Sequence, residues 1–250
     1  MNGVRSMGSD NESRPLSLSL GRFRDRFARG GGPWTIHINQ LIGAALARFA
    51  LRRGLRPVHL SSLNLVLGLA TTAIVLLVAG SRPVLASAFG LIGWQLAFSF
   101  DCADGQLARA AGNASGHGAV LDLLGDFMVQ VGVILALMSI ALRGRSGDFV
   151  AILCVLVTAG WLVSPFYGGI VGADVEHHSR TAPLGRLGRL ARGQWIVALR
   201  DYGLHIAVLP LLIGVGSLPL LFGLAVVGFL GLASLMWGVI TRIEAGLRAR

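Results

Sequence analysis

The sequence predicts an all-α integral membrane protein, six transmembrane helices preceded by an amphipathic helix lying in the membrane interface. Three observations lead there. Of its 250 residues, 54% are hydrophobic and only 14% charged, outside the usual composition of a soluble globular domain. The apolar residues gather into six stretches, most of them near the roughly 20 residues needed to cross a bilayer. The basic residues, 22 arginines and no lysine, are distributed very unevenly among the connections.

The first 32 residues are polar, rich in Ser, Arg and Gly, and lack the apolar core of a cleavable signal peptide. They read as a disordered basic tail ending at a Gly30-Gly31-Gly32 hinge. Residues 33–57, bordered by Pro33 and Pro57, carry Ile38, Leu41, Ile42, Ala45, Leu46 and Phe49 at helical spacing, with Arg48, Arg52 and Arg53 towards the end. That pattern suits a helix in the plane of the membrane surface, serving as an anchor. The six-helix domain, residues 58–243, has its spans at 60–79, 83–100, 119–142, 149–171, 202–215 and 218–240. The fifth is short and interrupted by Pro210, and residues 244–250 form a short tail.

Arginine placement orients the bundle. With the N-terminus in the cytoplasm, nineteen arginines lie inside and only Arg82, Arg143 and Arg145 outside. The positive-inside rule therefore puts both ends in the cytoplasm, in a multi-pass protein of the cytoplasmic (inner) membrane. A net charge of +10 suits anionic headgroups and phosphorylated substrates. Because the arginines flank spans instead of forming one basic domain, nucleic acid is not an expected partner. Cys102 and Cys154 show neither a paired framework nor metal-type spacing and receive no role.

Against this apolar background, Asp101, Asp104, Asp122 and Asp126 stand at the cytoplasmic ends of the second and third spans. One Asp at a helix centre costs about 2.5 to 3.5 kcal/mol on insertion scales, so four around one connection need a compensating partner. Asp101 and Asp104 are i, i+3, and Asp122 and Asp126 are i, i+4, so each pair points one way and the two can face each other. Hard carboxylate oxygens suit Mg²⁺ or Mn²⁺, and two such ions form the usual clamp for phosphoryl transfer. Gly105 leaves the backbone open beside Asp104, Ala108 is small on the next turn, and Gly118 keeps the face one turn before Asp122 clear. Arg109 offers a bidentate cation for a phosphate oxygen.

The run Asp-x2-Asp-Gly-x2-Ala-Arg-x8-Gly-x3-Asp-x3-Asp over residues 101–126 resembles the signature of the CDP-alcohol phosphotransferases, with every fixed position present. The resemblance implies transfer of a substituted phosphate from a CDP-linked alcohol, commonly CDP-diacylglycerol, to a hydroxyl of a polar acceptor, with release of CMP. It further implies that Asp101 and Asp122 bridge two metal ions, that Asp104 completes one site, and that Asp126 touches the other ion and acts as general base. Gly105, Ala108, Arg109, Ser115 and Gly118 would form the nucleotide side of the site, and a homodimer is expected. The first span opens with Pro57-Val58-His59-Leu60-Ser61 where the family often has Pro-Asn-x2-Thr, so no nucleotide contact is assigned there. The acceptor alcohol is left open.

Other features read as structural. Asp174-Val175-Glu176-His177-His178 is a solvated loop without a matching partner run, and Arg186, Arg189 and Arg192 suit either anionic lipid or an acceptor phosphate. An aspartate-rich intramembrane prenyltransferase would carry its second acidic run far away in sequence and lack Gly-x2-Ala-Arg. A divalent-cation transporter would place its acids near the midplane between discontinuous helices, often within repeats. Both remain as alternatives to the transferase.

Overall fold

A computed structural model describes residues 15–112, 116–143, 160 and 201–248. Among these residues the chain is helical, with no strand. Helix α1 is Leu20–Phe27, and α2, Gln40–Arg52, is entered through a π-helical turn at Thr35–Asn39. Then follow α3, Pro57–Val78; α4, Pro83–Ala110; α5, Gly116–Ala141; α6, Tyr202–Val215; and α7, Ser217–Arg248. The expected span at 149–171, apart from Gly160, lies outside the described residues, as do Ser115, residues 174–178 and Arg186, Arg189 and Arg192.

Helices α3, α4 and the Asp122–Ala141 part of α5 are long and apolar enough to cross a membrane, and α6 and the Ser217–Leu230 part of α7 are shorter apolar helices. Part of each surface turns large apolar side chains outward, with Leu77 81% and Val84 72% exposed, as lipid-facing residues should be, while Trp94, Ile134, Leu137 and Leu209 fill the core. Small residues let the helices approach closely, the usual device where lipid gives no hydrophobic drive between them. A Cβ on Gly68 of α3 would come within 2.7 Å of the Val129 side chain on α5. One on Gly43 of α2 would come within 2.9 Å of Cys102 on α4. The single residue between α6 and α7 is Gly216 at φ +142°, a value that side-chain-bearing residues rarely adopt.

Helix α4 is the hub, packing against α2, α3 and α6. Gln95 ties three elements together: its Oε1 accepts from Asn39 Nδ2 at 2.8 Å and its Nε2 donates to the Gly203 carbonyl at 2.6 Å. Trp94 Nε1 donates to Thr72 Oγ1 at 3.2 Å, joining α4 to α3. Pro210, expected to interrupt the fifth span, is accommodated inside α6 and buried.

One expectation changes in this part of the chain. Residues 20–27, expected to be disordered, form a helix capped by Ser19, whose side chain accepts from the Arg22 amide. The reason is tertiary: an eight-residue helix is marginal alone, but Phe23 is fully buried and Phe27 nearly so, against Ala44, Ala47, Ala50, Ala103 and Leu107. Burying one phenylalanine contributes roughly 2 to 3 kcal/mol. Helix α2 covers Gln40–Arg52, and the face it turns inward is the small and polar one, Gln40, Gly43, Ala44, Ala47 and Ala50. Ile38, Ile42 and Phe49 stay exposed, which leaves the large apolar side chains free to meet lipid.

Candidate active site

Helix α4 does not stop at residue 100 but continues to Ala110. Asp101, Asp104, Gly105 and Arg109 therefore ride on one rigid helix and share a face. Across from it, α5 supplies Asp122 and Asp126 from its early turns. Carboxylate oxygens of Asp101, Asp122 and Asp126 all lie within 4.8 Å of one another. Asp104, almost fully buried, is turned towards α3, where its Oδ2 accepts from Ser61 Oγ at 2.6 Å. Asp126 Oδ1 accepts from Asn64 Nδ2 at 2.9 Å.

These residues border a cavity of about 370 Å³ lined by all four aspartates together with Gly105 and Arg109. Its opposite wall comes from Arg29, Gly30, Gly31 and Gly32 of the N-terminal segment and from Asp201 and Tyr202 at the start of α6. The Arg109 Nε donates to the Phe27 carbonyl at 2.5 Å. Its two terminal nitrogens lie 3.2 Å from where a Cβ on Gly105 would stand, so the missing side chain leaves room for the guanidinium over that turn. Asp201 is buried and fully engaged: Oδ2 accepts from the Thr35 amide and Oδ1 from the Gly203 amide, each at 3.0 Å, and Oδ1 also accepts from the Thr35 hydroxyl.

Of the residues singled out in the sequence, the four aspartates, Gly105 and Arg109 are brought together. Ala108 is not on the cavity wall, because it sits a quarter-turn away from Arg109 on the helix. Gly118 belongs to α5. Sequence reasoning missed Ser61, Asn64 and Asp201. A signal existed for the first two, since Ser61 and Asn64 are polar, i, i+3, and inside a largely apolar span. For Arg29 the signal was indirect, since Leu20, Phe23 and Phe27 repeat at i, i+3 and i+7 just before it, but the polar composition of the tail outweighed it.

The family called CDP-alcohol phosphatidyltransferase has a sequence model that matches residues 55–199. The chain belongs to the CDP-alcohol phosphatidyltransferase family. No curated protein matches it. The matched stretch includes α3, α4 and α5 and hence the whole aspartate group; α1, α2, α6 and α7 lie outside it. Membership makes the chain a transferase of lipid synthesis acting on a CDP-alcohol, in a divalent-metal-dependent family, and the apolar helices agree with a membrane location.

The geometry fits such a metal. Two ionised carboxylates about 4.8 Å apart repel by roughly 3 to 4 kcal/mol at an effective dielectric near 20. Three such pairs would consume about as much free energy as a whole domain's stability, so the arrangement calls for a cation. Oxygens within 4.8 Å of one another are spaced like ligands across the coordination sphere of one hard divalent ion, at metal–oxygen distances of about 2.0 to 2.6 Å. Asp122 Oδ1 is buried without a hydrogen-bond partner, the kind of orphaned acceptor that a metal would satisfy.

Proposed function

We propose that the protein transfers a substituted phosphate from a CDP-alcohol, CDP-diacylglycerol in our reading, to a hydroxyl of a polar acceptor, releasing CMP. The observation that carries it is the convergence of Asp101, Asp122 and Asp126 from two helices in one cavity with Arg109. In this reading Asp101, Asp104, Asp122 and Asp126 hold two divalent ions, Mg²⁺ or Mn²⁺. Bound there, the ions would neutralise charge on the diphosphate and on the departing CMP.

The chain's own residues bind, orient and move a proton. Arg109 grips a phosphate oxygen through its terminal nitrogens, over a helix turn that Gly105 keeps low. The hydrogen bond from Asn64 orients the Asp126 carboxylate, which takes the acceptor's proton as the new oxygen–phosphorus bond forms and the bond to CMP breaks. With no covalent nucleophile invoked, the displacement is a single in-line step. Ser61 holds Asp104 in place. Ser115 and Gly118 would complete the nucleotide side, with Ala108 keeping the neighbouring turn small.

The same reading has six spans, an interfacial helix over residues 33–57, and both ends in the cytoplasm of an inner-membrane homodimer. The exposed Ile38, Ile42 and Phe49 support the interfacial placement, and the arginine distribution supports the orientation. The test is purified protein with CDP-diacylglycerol, Mg²⁺ or Mn²⁺, and glycerol 3-phosphate, inositol 1-phosphate, inositol, serine or phosphatidylglycerol, reading CMP. Acceptor-dependent CMP release that disappears with chelator is expected. Absence of CMP with every acceptor, or pyrophosphate as the product, sinks the reading.

A further inference from the structure

Several residues of the cavity wall lie outside the family match, and four of them, Arg29, Gly30, Gly31 and Gly32, belong to a segment, residues 20–32, whose contacts go to the signature itself. Phe23 and Phe27 seat α1 on Ala103 and Leu107, which flank Gly105 on α4. Their rings meet at a tilt of 55°, with 4.8 Å between centroids. Upstream, Arg48 donates to the Leu16 carbonyl at 3.3 Å. Downstream the chain turns at Gly30 and Gly31, at φ +68° and +107°, and runs past Asp201, which would lie 2.5 Å from a Cβ on Gly32. The segment is thus held on both sides of the cavity.

Its decisive contact is with the signature's arginine. A guanidinium is a rigid plane, so a hydrogen bond from Nε to the Phe27 carbonyl sets the direction of the two terminal nitrogens. An arginine on a mobile side chain would have to lose that freedom on binding. We propose that residues 20–32 are a working part of the active site, docked by Phe23 and Phe27, in which the Phe27 carbonyl is the positioning group that aims Arg109 at the phosphate of the nucleotide. This rests on the transferase reading for the identity of the ligand, but the docking itself does not depend on it.

Full-length protein with Mg²⁺ tests it through two readouts, CMP affinity and the rate of trypsin cleavage at Arg22, Arg24, Arg26 and Arg29. Phe23→Asp is expected to speed cleavage there and to weaken CMP binding by about tenfold or more, the size of one charge-assisted hydrogen bond, while Phe23→Leu, which keeps an apolar anchor, is expected to change both far less. Arg109→Lys, which keeps the charge but has no Nε donor, is also expected to speed cleavage. In the Arg109→Lys background, Phe23→Asp is expected to add no further loss of CMP affinity. Should Phe23→Asp fail to fold, Gly31→Val lifts the segment at its turn, because its Cβ would stand 2.6 Å from Thr35 Cγ2, and the same loss is expected. Unchanged CMP affinity with the segment released, or losses from Phe23→Asp and Arg109→Lys that multiply, overturns the proposal. If wild type neither binds CMP nor releases it from CDP-diacylglycerol, the transferase reading fails instead, and unchanged trypsin cleavage in Arg109→Lys would still refute the docking.

Discussion

Two regions build opposite walls of one cavity by different means. Residues 101–126 bring the chemistry: four carboxylates, a glycine and an arginine at fixed spacing on α4 and α5. Residues 20–32 carry no part of that motif, yet Arg29 to Gly32 line the same cavity beside Asp201 and Tyr202, and Phe27 reaches Arg109 through a backbone carbonyl. Chemistry needs particular side chains at particular spacing and so leaves a motif. A supporting wall needs only apolar anchors and a turn, which many sequences can supply. The lesson is that a motif marks where bonds change, and says little about what holds the motif in aim.

The comparison predicts a graded series. Asp101→Asn and Asp122→Asn should be the most severe, lowering CMP release by about a thousandfold or more, because losing a metal ligand forfeits several kcal/mol of charge stabilisation. Steady-state turnover across metal concentrations checks this, and retention of activity would break the division between the walls. Asp126→Asn should lower turnover by about a hundred- to a thousandfold, the range of general-base catalysis, while leaving CDP-diacylglycerol binding largely intact. Parallel turnover and binding measurements decide it; near-normal CMP release would remove Asp126 as the base. Ser61→Ala should cost about tenfold in turnover, since one hydrogen bond to a carboxylate is worth about 1.5 kcal/mol.

Smaller effects should fall on packing alone. Gly68→Val forces a side chain against Val129 and should destabilise by about 1 to 3 kcal/mol, lowering the thermal midpoint in detergent without changing metal affinity. Leu77→Ala, on a side chain 81% exposed, should shift stability by no more than about 0.5 kcal/mol. A large loss there would mean that this face of α3 is covered by something other than lipid.

Much was legible before any coordinates. The starts of α3, α4 and α6 agree with the apolar runs, and Asp101 meets Asp122 and Asp126, while Asp104 of the same helix turns to Ser61. The reach of α4 through the signature was not, because Asp101 and Asp104 interrupt the hydropathy on which the boundary at residue 100 rested. The inward face of α2 was not legible either, because hydropathy draws attention to Ile38, Ile42 and Phe49, which stay outside, while Gly43, Ala44 and Ala47 make the helix contact.

By itself, the sequence determined the class of protein, its family and the spacing of the acidic group. Hydrophobic runs and carboxylate spacing act locally, through side-chain periodicity and charge, and can be read in one dimension. Only the tertiary structure decided that Ser61 and Asn64 brace the acids, that Asp201 clamps Thr35, and that Phe27 meets Arg109. Those contacts join residues 43 to 166 positions apart, and partners so distant are chosen by how helices pack, not by any pattern along the chain.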